Sequence, residues 1–311
     1  GFFISTEVFL MYQYPKNIQT ATQLLQKWST AGMKIEASDH ALDTLNSVGY
    51  YRLKGYSFHL YDQATAQFQQ GTTFANVLGL YQFDSRLSHL VFDFLSQIEV
   101  SLRARLMNAL LIHNDALILN DPSIFKDKQR YWKNQSSIAS EIARSNDVFI
   151  QHNFVNYEGA IPLWAVVEVM SFGTLSKVIK NLKTGTVVTN TLLQNYKFKN
   201  PAGVFILPSW NMFTSWVQAV SIMRNICAHN SRIYNRVIST TPQLIQVDNI
   251  SPQPQYNGLY QILLAMKYLR PTDAAWAAFT TELTALLTQY TGIVELNRIN
   301  FPADWATHFQ L

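Results

Sequence analysis

Residues Phe74 to His113, FANVLGLYQFDSRLSHLVFDFLSQIEVSLRARLMNALLIH, decide the fold class. Leu80, Phe83, Leu87, Leu90, Phe94, Ile98, Leu102 and Leu106 recur at intervals of three and four, the spacing that lines one face of an α-helix. The segment is one long amphipathic helix or two joined end to end, and such a helix is the spine of a bundle. Arg86, Arg103 and Arg105 along it read as solvated surface. Glu99, one turn before Arg103, reads as an ordinary intrahelical pair.

Working outward, Asn17 or Thr20 caps a helix to about Thr30 that Gly32 ends, and Ser38 caps a second from Asp39 to Val48. Gly49 to Tyr56 is dense in aromatics. It reads as a corner locking the N-terminal helices, with a base-stacking platform carrying Arg52 and Lys54 as the alternative. Beyond the spine, Asp121-Pro122 starts a short helix. Lys126, Lys128, Arg130 and Lys133 form a basic run that reads as a solvated face, and Ser136 or Ser137 caps a helix through Ile150. Leu163 to Ile179 is nearly all apolar and predicts one buried helix, whose embedded Glu168 needs an arginine or several hydrogen bonds. Ser209 or Asn211 caps a second spine that continues through Trp216, Val220 and Met223 until Ser239 to Pro242. Gln243 to Asn257 is a loop, and helices at about 258–269 and 272–290 close the chain. No repeat and no alternating strand set is present, so the class is all-α. The expected division is an N-terminal helical extension over 1–70, a helical core over 71–240 and C-terminal helices over 241–311.

Across 311 residues, 48% hydrophobic content suffices for a buried core, while only 14% are charged. Soluble domains usually carry about 25%, so the charges are informative where they cluster. A net charge of +4 permits an anionic partner without requiring one. The single cysteine, Cys227, excludes an internal disulfide and a cysteine-cluster metal site, and reads as a buried structural thiol in a reducing, cytoplasmic setting. Gly1 to Leu10 is apolar but lacks a basic leader and a small-residue cleavage site, and no run reaches 18 apolar residues; neither secretion nor a membrane span is expected.

The charges cluster in Arg224 to Arg236, RNICAHNSRIYNR. Read as a helix, this stretch places Asn235, Arg224, Ala228, Arg232, Asn225, Arg236 and His229 within an arc of roughly 140°, with Ile226, Cys227, Ile233 and Tyr234 opposite. One face is cationic and the other packs. RNA cleavage without a metal needs a base for the 2′-hydroxyl, an acid for the leaving 5′-oxygen and cations for the phosphate, roles a histidine and fixed arginines fill. Arg-x-x-x-x-His alone is a weak pattern. It gains weight from Asn225 beside the arginine, from His229 one turn after Asn225, and from the two further arginines.

These residues resemble the signature of the Abi proteins of the AbiD/AbiF type, abortive-infection factors of the HEPN superfamily. The resemblance continues in Tyr50 to Tyr56, Phe83 to Leu87, Ile98 to Arg105, and Pro162-Leu163-Trp164 with Phe172 to Ser176, in that order over about residues 14 to 240. Gly49 stands where an asparagine is common. The resemblance implies a HEPN-like helical bundle and metal-independent endoribonuclease chemistry at a composite site in a homodimer. It further implies phage defence or an RNA-regulated toxin-antitoxin-like role, with kinship to the nuclease domains of type VI CRISPR effectors. Arg224, Asn225 and His229 carry over as the catalytic set. Arg232, Arg236 and Tyr234 are candidate RNA contacts alongside Arg52 and Lys54, and Glu99 and Glu168 are candidate supports. No metal or cofactor is implied; the implied partners are RNA, including a structured non-coding RNA, and a second copy. A non-catalytic RNA-binding module is the alternative function, and a third reading has Arg224 and His229 merely satisfying buried carboxylates such as Glu168.

Overall fold

The computed structural model describes residues 17–200, 202–248 and 258–311. The fold is all-α, with two tiny hairpins among the described residues. The reading of Gly1 to Leu10 and the latter part of the 243–257 loop lie outside the described residues. Two compact units are present, and the boundary between them falls after Tyr81.

The first unit contains α1 (Ala21–Thr30), α2 (Ser38–Val48), α3 (Tyr50–Ser57) and the hairpin of β1 (Tyr61–Asp62) and β2 (Gln67–Phe68). Thr20 starts α1 with a capping box: its hydroxyl accepts from Gln23 N, and the Gln23 side chain accepts from Thr20 N. Gly32 at φ +92° reverses the chain after α1, where a β-carbon would sit 3.2 Å from Gln67 Oε1. Trp28 is the centre, with Tyr50 at 4.8 Å, Phe74 at 6.2 Å and Phe68 edge-on at 6.4 Å between ring centroids. Tyr56 is buried against Tyr81. Tyr50 and Tyr56 therefore pack as a corner, while Tyr51 is 80% exposed beside the exposed Arg52 and Lys54 of α3.

The expected spine is α4 (Phe74–Leu110), one helix of 37 residues. Of its eight predicted inward residues only Leu90 is half-buried, and Val91 and Leu95 widen the buried stripe. In the second unit, Phe94 packs on Phe279 at 4.9 Å and Trp276 at 5.6 Å, both from α12 (Asp273–Gln289). Between α4 and α12 the chain runs through α5 (Lys128–Arg144), α6 (Val148–Asn156), α7 (Leu163–Val169), α8 (Phe172–Asn181), α9 (Val187–Leu193), the hairpin of β3 (Phe198–Lys199) and β4 (Phe205–Ile206), α10 (Trp210–Ala228) and α11 (Leu259–Leu269). The short α13 (Trp305–His308) follows α12. Helix α10 lies against α8, α9 and α11, and α5 lies against α7 and α8. Among the described residues no helix is long and apolar enough to cross a membrane.

Several boundaries differ from the sequence reading. The basic run is the start of α5, which Asp127 caps by accepting from Arg130 N at 3.0 Å; Ser137 lies inside that helix and starts nothing. The expected helix over Leu163 to Ile179 is two helices, broken at Met170-Ser171, where the Ser171 hydroxyl accepts from Thr174 N and begins α8. The second spine ends at Ala228 and not near residue 240.

Candidate functional site

The end of α10 is built by a helix stop within the charged stretch. Asn230 adopts the left-handed conformation at φ +49°. Asn230 N donates to Cys227 O at 2.9 Å and Ser231 N to Ile226 O at 3.0 Å, a Schellman closure. Arg224 and Asn225 are therefore in the last turn and a half of α10, and His229 is its terminal cap residue. Residues 230–236 leave the helix, so the single cationic face expected over Arg224 to Arg236 does not form.

A buried carboxylate fixes the departing chain. Asp84 of α4 is 3% exposed, and both its oxygens accept from Ile233 N, at 3.0 and 3.2 Å, while Oδ1 also accepts from Tyr234 N at 2.6 Å. Tyr234 is fully buried, edge-on to Phe83, and its hydroxyl accepts from Glu295 N at 3.1 Å. Burial raises its pKa to about 12. Tyr234 thus packs, and its ring is not presented to a ligand as the sequence suggested. Arg232 Nη1 donates to the carbonyls of Tyr234 and Asn235 at 3.2 and 3.1 Å, and Arg236 Nη1 to Arg232 O at 3.4 Å. Both guanidiniums brace the turn that carries them.

Behind Arg224 lies a charge network that the sequence divided wrongly. Glu99 and Arg103 are both 8% exposed, so their pair is buried and not a surface pair. One Glu99 oxygen accepts from Arg103 Nη2, and the other lies 3.3 Å from Arg224 Nε without hydrogen-bond alignment. Arg103 also donates to Val167 O, to Glu168 O at 3.1 Å and to Met170 O at 2.6 Å. These are carbonyls freed where α7 stops, the negative end of that helix. Glu168 itself is exposed. The arginine expected to meet its carboxylate meets its backbone carbonyl, and the side chain lies on the exposed face of α7 one turn after Trp164. The buried acid nearby is Glu141, which accepts from Ser171 N at 3.0 Å and from the Thr174 hydroxyl at 2.9 Å at the start of α8. An arginine thus closes one helix of the break and a glutamate opens the other.

Arg224 is held between this network and the Phe92 ring, 5.9 Å from its guanidinium carbon, with about a third of its side chain exposed (32%). Its Nη1 donates to Asn225 Oδ1 at 3.4 Å. Asn225 and His229 are exposed, and the imidazole has no partner among the described residues. The third reading therefore holds for one residue only: Arg224 meets a buried carboxylate, Glu99, and His229 meets none. Cys227 packs inward, 4% exposed, and burial pushes its thiol up to about 12. Arg52 and Lys54 belong to the first unit, whereas Arg224, Asn225, His229, Glu99 and Arg103 belong to the second. Asp84 and Arg103 carry this arrangement and were missed in the sequence. Asp84 sits at an inward position of the α4 stripe, where an acid is costly without partners, and that was the available signal.

No curated protein and no solved structure matches the chain at a significant level. The family profile described as Abi-like protein matches residues 43–235, more than half of the chain. That span holds Asp84, Glu99, Arg103 and the whole of α10 with its terminal turn. The chain belongs to the family of Abi-like proteins.

Proposed function

We propose that this Abi-like protein is a HEPN endoribonuclease of the AbiD/AbiF type, acting as a toxin in abortive infection or an RNA-regulated toxin-antitoxin-like system. The carrying observation is that the end of α10 carries both an arginine, a third exposed and oriented from behind by buried Glu99, and an exposed histidine with no partner among the described residues. An oriented guanidinium stabilises the charge that grows on a phosphate in the transition state without reorganising at that moment. Asn225, exposed and bonded to Arg224, orients the same group or the phosphate.

The chemistry requires two proton-transfer groups, and each chain contributes His229. In a symmetric dimer one imidazole takes the proton of the 2′-hydroxyl as that oxygen bonds to phosphorus. The phosphorus to 5′-oxygen bond breaks, and the second imidazole protonates the departing oxygen. The product carries a 2′,3′-cyclic phosphate. A structured non-coding RNA fits such a protein as regulator or substrate.

The test is His229→Ala purified at wild-type stability and dimer content. Its RNA cleavage and toxicity are expected to fall by at least a hundredfold, the lower range for a proton-transfer group. Full cleavage by that variant, or wild-type products lacking cyclic phosphate ends, overturns the reading. Tight RNA binding without cleavage by the wild type returns the non-catalytic module in its place.

A further inference from the structure

The basic run at the start of α5 does not face solvent alone. Helix α8 brings Lys177 and Lys180 to it, and together Arg130, Lys133, Asn134, Ser137, Lys177, Lys180 and Asn181 line an open cleft of about 360 Å³. Four of the seven are cations and none is an acid. The cations recur one turn apart on each helix, Arg130 with Lys133 and Lys177 with Lys180, so each helix contributes a short row. The floor is amide: Asn134 is 6% exposed and donates to Lys177 O, and Asn181, 2% exposed, exchanges hydrogen bonds with the Asp127 backbone. These bonds hold the two helices at fixed separation beneath the charges.

The counter-charge inside the protein is small. Arg130 pairs with Asp127 at 3.1 Å, with both groups well exposed, and Lys180 donates to the neutral Gln218 of α10 at 2.7 Å. Lys133 and Lys177 have no side-chain partner among the described residues. Nearby Lys126 has its pKa lowered by burial and then by Arg130 and Lys180, a sign of crowded positive charge. In a protein with only 14% charged residues, four cations meet here and one of them, Arg130, is paired with an acid.

We propose that the cleft between α5 and α8 is a binding site for a single nucleic-acid strand, held by successive phosphates through Arg130, Lys133, Lys177 and Lys180. Two rows of cations suit a linear polyanion; one free phosphate would use a fraction of them. A trough between two packed helices admits the backbone of one strand, and no aliphatic or aromatic residue lines it as an anchor pocket for a protein segment. The site is separate from the end of α10, and the inference stands whether or not Arg224 and His229 cleave RNA.

The test uses the full chain and a fluorescently labelled 12-nucleotide 2′-O-methyl RNA, which has no free 2′-hydroxyl and so reports binding without cleavage. K133E/K177E, altering two exposed and unpaired lysines, is compared with K27E/K34E, which removes the same charge from the first unit; melting curves confirm that both fold. The cleft variant is expected to bind at least tenfold more weakly, with the salt slope of log Kd reduced by about 1.4, the share of two single-strand phosphate contacts. The control is expected to stay within twofold of wild type. Equal loss in the two variants, or unchanged affinity in K133E/K177E, overturns the proposal. So does displacement of the strand by a polyglutamate peptide or by inorganic phosphate at equal phosphate or carboxylate concentration. Weakened binding here alongside full cleavage by His229→Ala would sink the catalytic reading and leave the cleft standing, and the reverse pair of results would do the opposite.

Discussion

Glu99 is the residue on which the order of the site turns, because its buried carboxylate faces one buried guanidinium and one that is a third exposed. Glu99→Ala leaves Arg103 and part of Arg224 without their anion, and removing one partner of a buried pair costs about 3–5 kcal/mol. Glu99→Gln keeps one acceptor and is expected to lose less. Urea unfolding of the two variants tests this, and equal stability of wild type and Glu99→Ala refutes it. Arg103→Lys should also be poorly tolerated, since a single ammonium cannot span a carboxylate and three carbonyls. Cys227 gives a second prediction at this scale. Its thiol titrates at about 12 when folded against 9.0 ordinarily, so between those values the folded chain holds a proton that the unfolded chain has released. Its contribution is fully present below pH 9 and falls by about 1.4 kcal/mol per pH unit above it. Tyr234 adds a loss of the same sign between pH 10 and about 12. Cys227→Ala is therefore expected to show a shallower fall of unfolding free energy from pH 9 to 10 than wild type; parallel curves would refute it.

At the scale of elements, the turn after α10 depends on one conformation and one anchor. Asn230→Val forces a β-branched side chain into the left-handed region, at a cost of about 1–2 kcal/mol. Asp84→Ala leaves the buried N–H groups of Ile233 and Tyr234 unsatisfied and is expected to cost more, about 2–4 kcal/mol by denaturant unfolding. Hydrogen exchange at Ile233 and Tyr234 should accelerate in Asp84→Ala while the amides of α8 stay protected; unchanged exchange at both would rule out the anchoring role. Such details explain what was readable in advance. The α4 stripe was legible because a periodic apolar face survives any neighbour. The break at Met170-Ser171 was not, because Leu163 to Ile179 is nearly all apolar and only Ser171 with Thr174 marks the new start. The stop at Ala228 was hidden because Asn230 signals a left-handed cap less strongly than glycine does, and because Arg232 and Arg236 happen to continue the helical period. Arg103 was misread because an i,i+4 pair with Glu99 looks the same in sequence whether buried or exposed. Arg224, Asn225 and His229 were legible as a set; the network behind Arg224 was not, because it is assembled from α4, the end of α7 and α10, far apart in the chain.

At the scale of the whole molecule, the proposed reaction sets a stoichiometric demand that one chain does not meet. Each copy supplies one His229, whereas attack and departure at a phosphate each need a proton-transfer group. If both imidazoles of a symmetric pair act on one RNA, activity depends on association, and specific activity should rise with protein concentration through the dimer dissociation constant. Subunit mixing sharpens the point. When wild type and His229→Ala are combined in equal amounts and allowed to exchange, only pairs with two intact copies carry both groups. The total activity should then be about half of that contributed by the wild type alone at the same wild-type amount, since random pairing leaves about a quarter of all pairs fully intact. If one imidazole suffices, mixed pairs remain active and no loss appears. Activity independent of dilution across the range where sedimentation shows dissociation would argue for a site complete within a single chain.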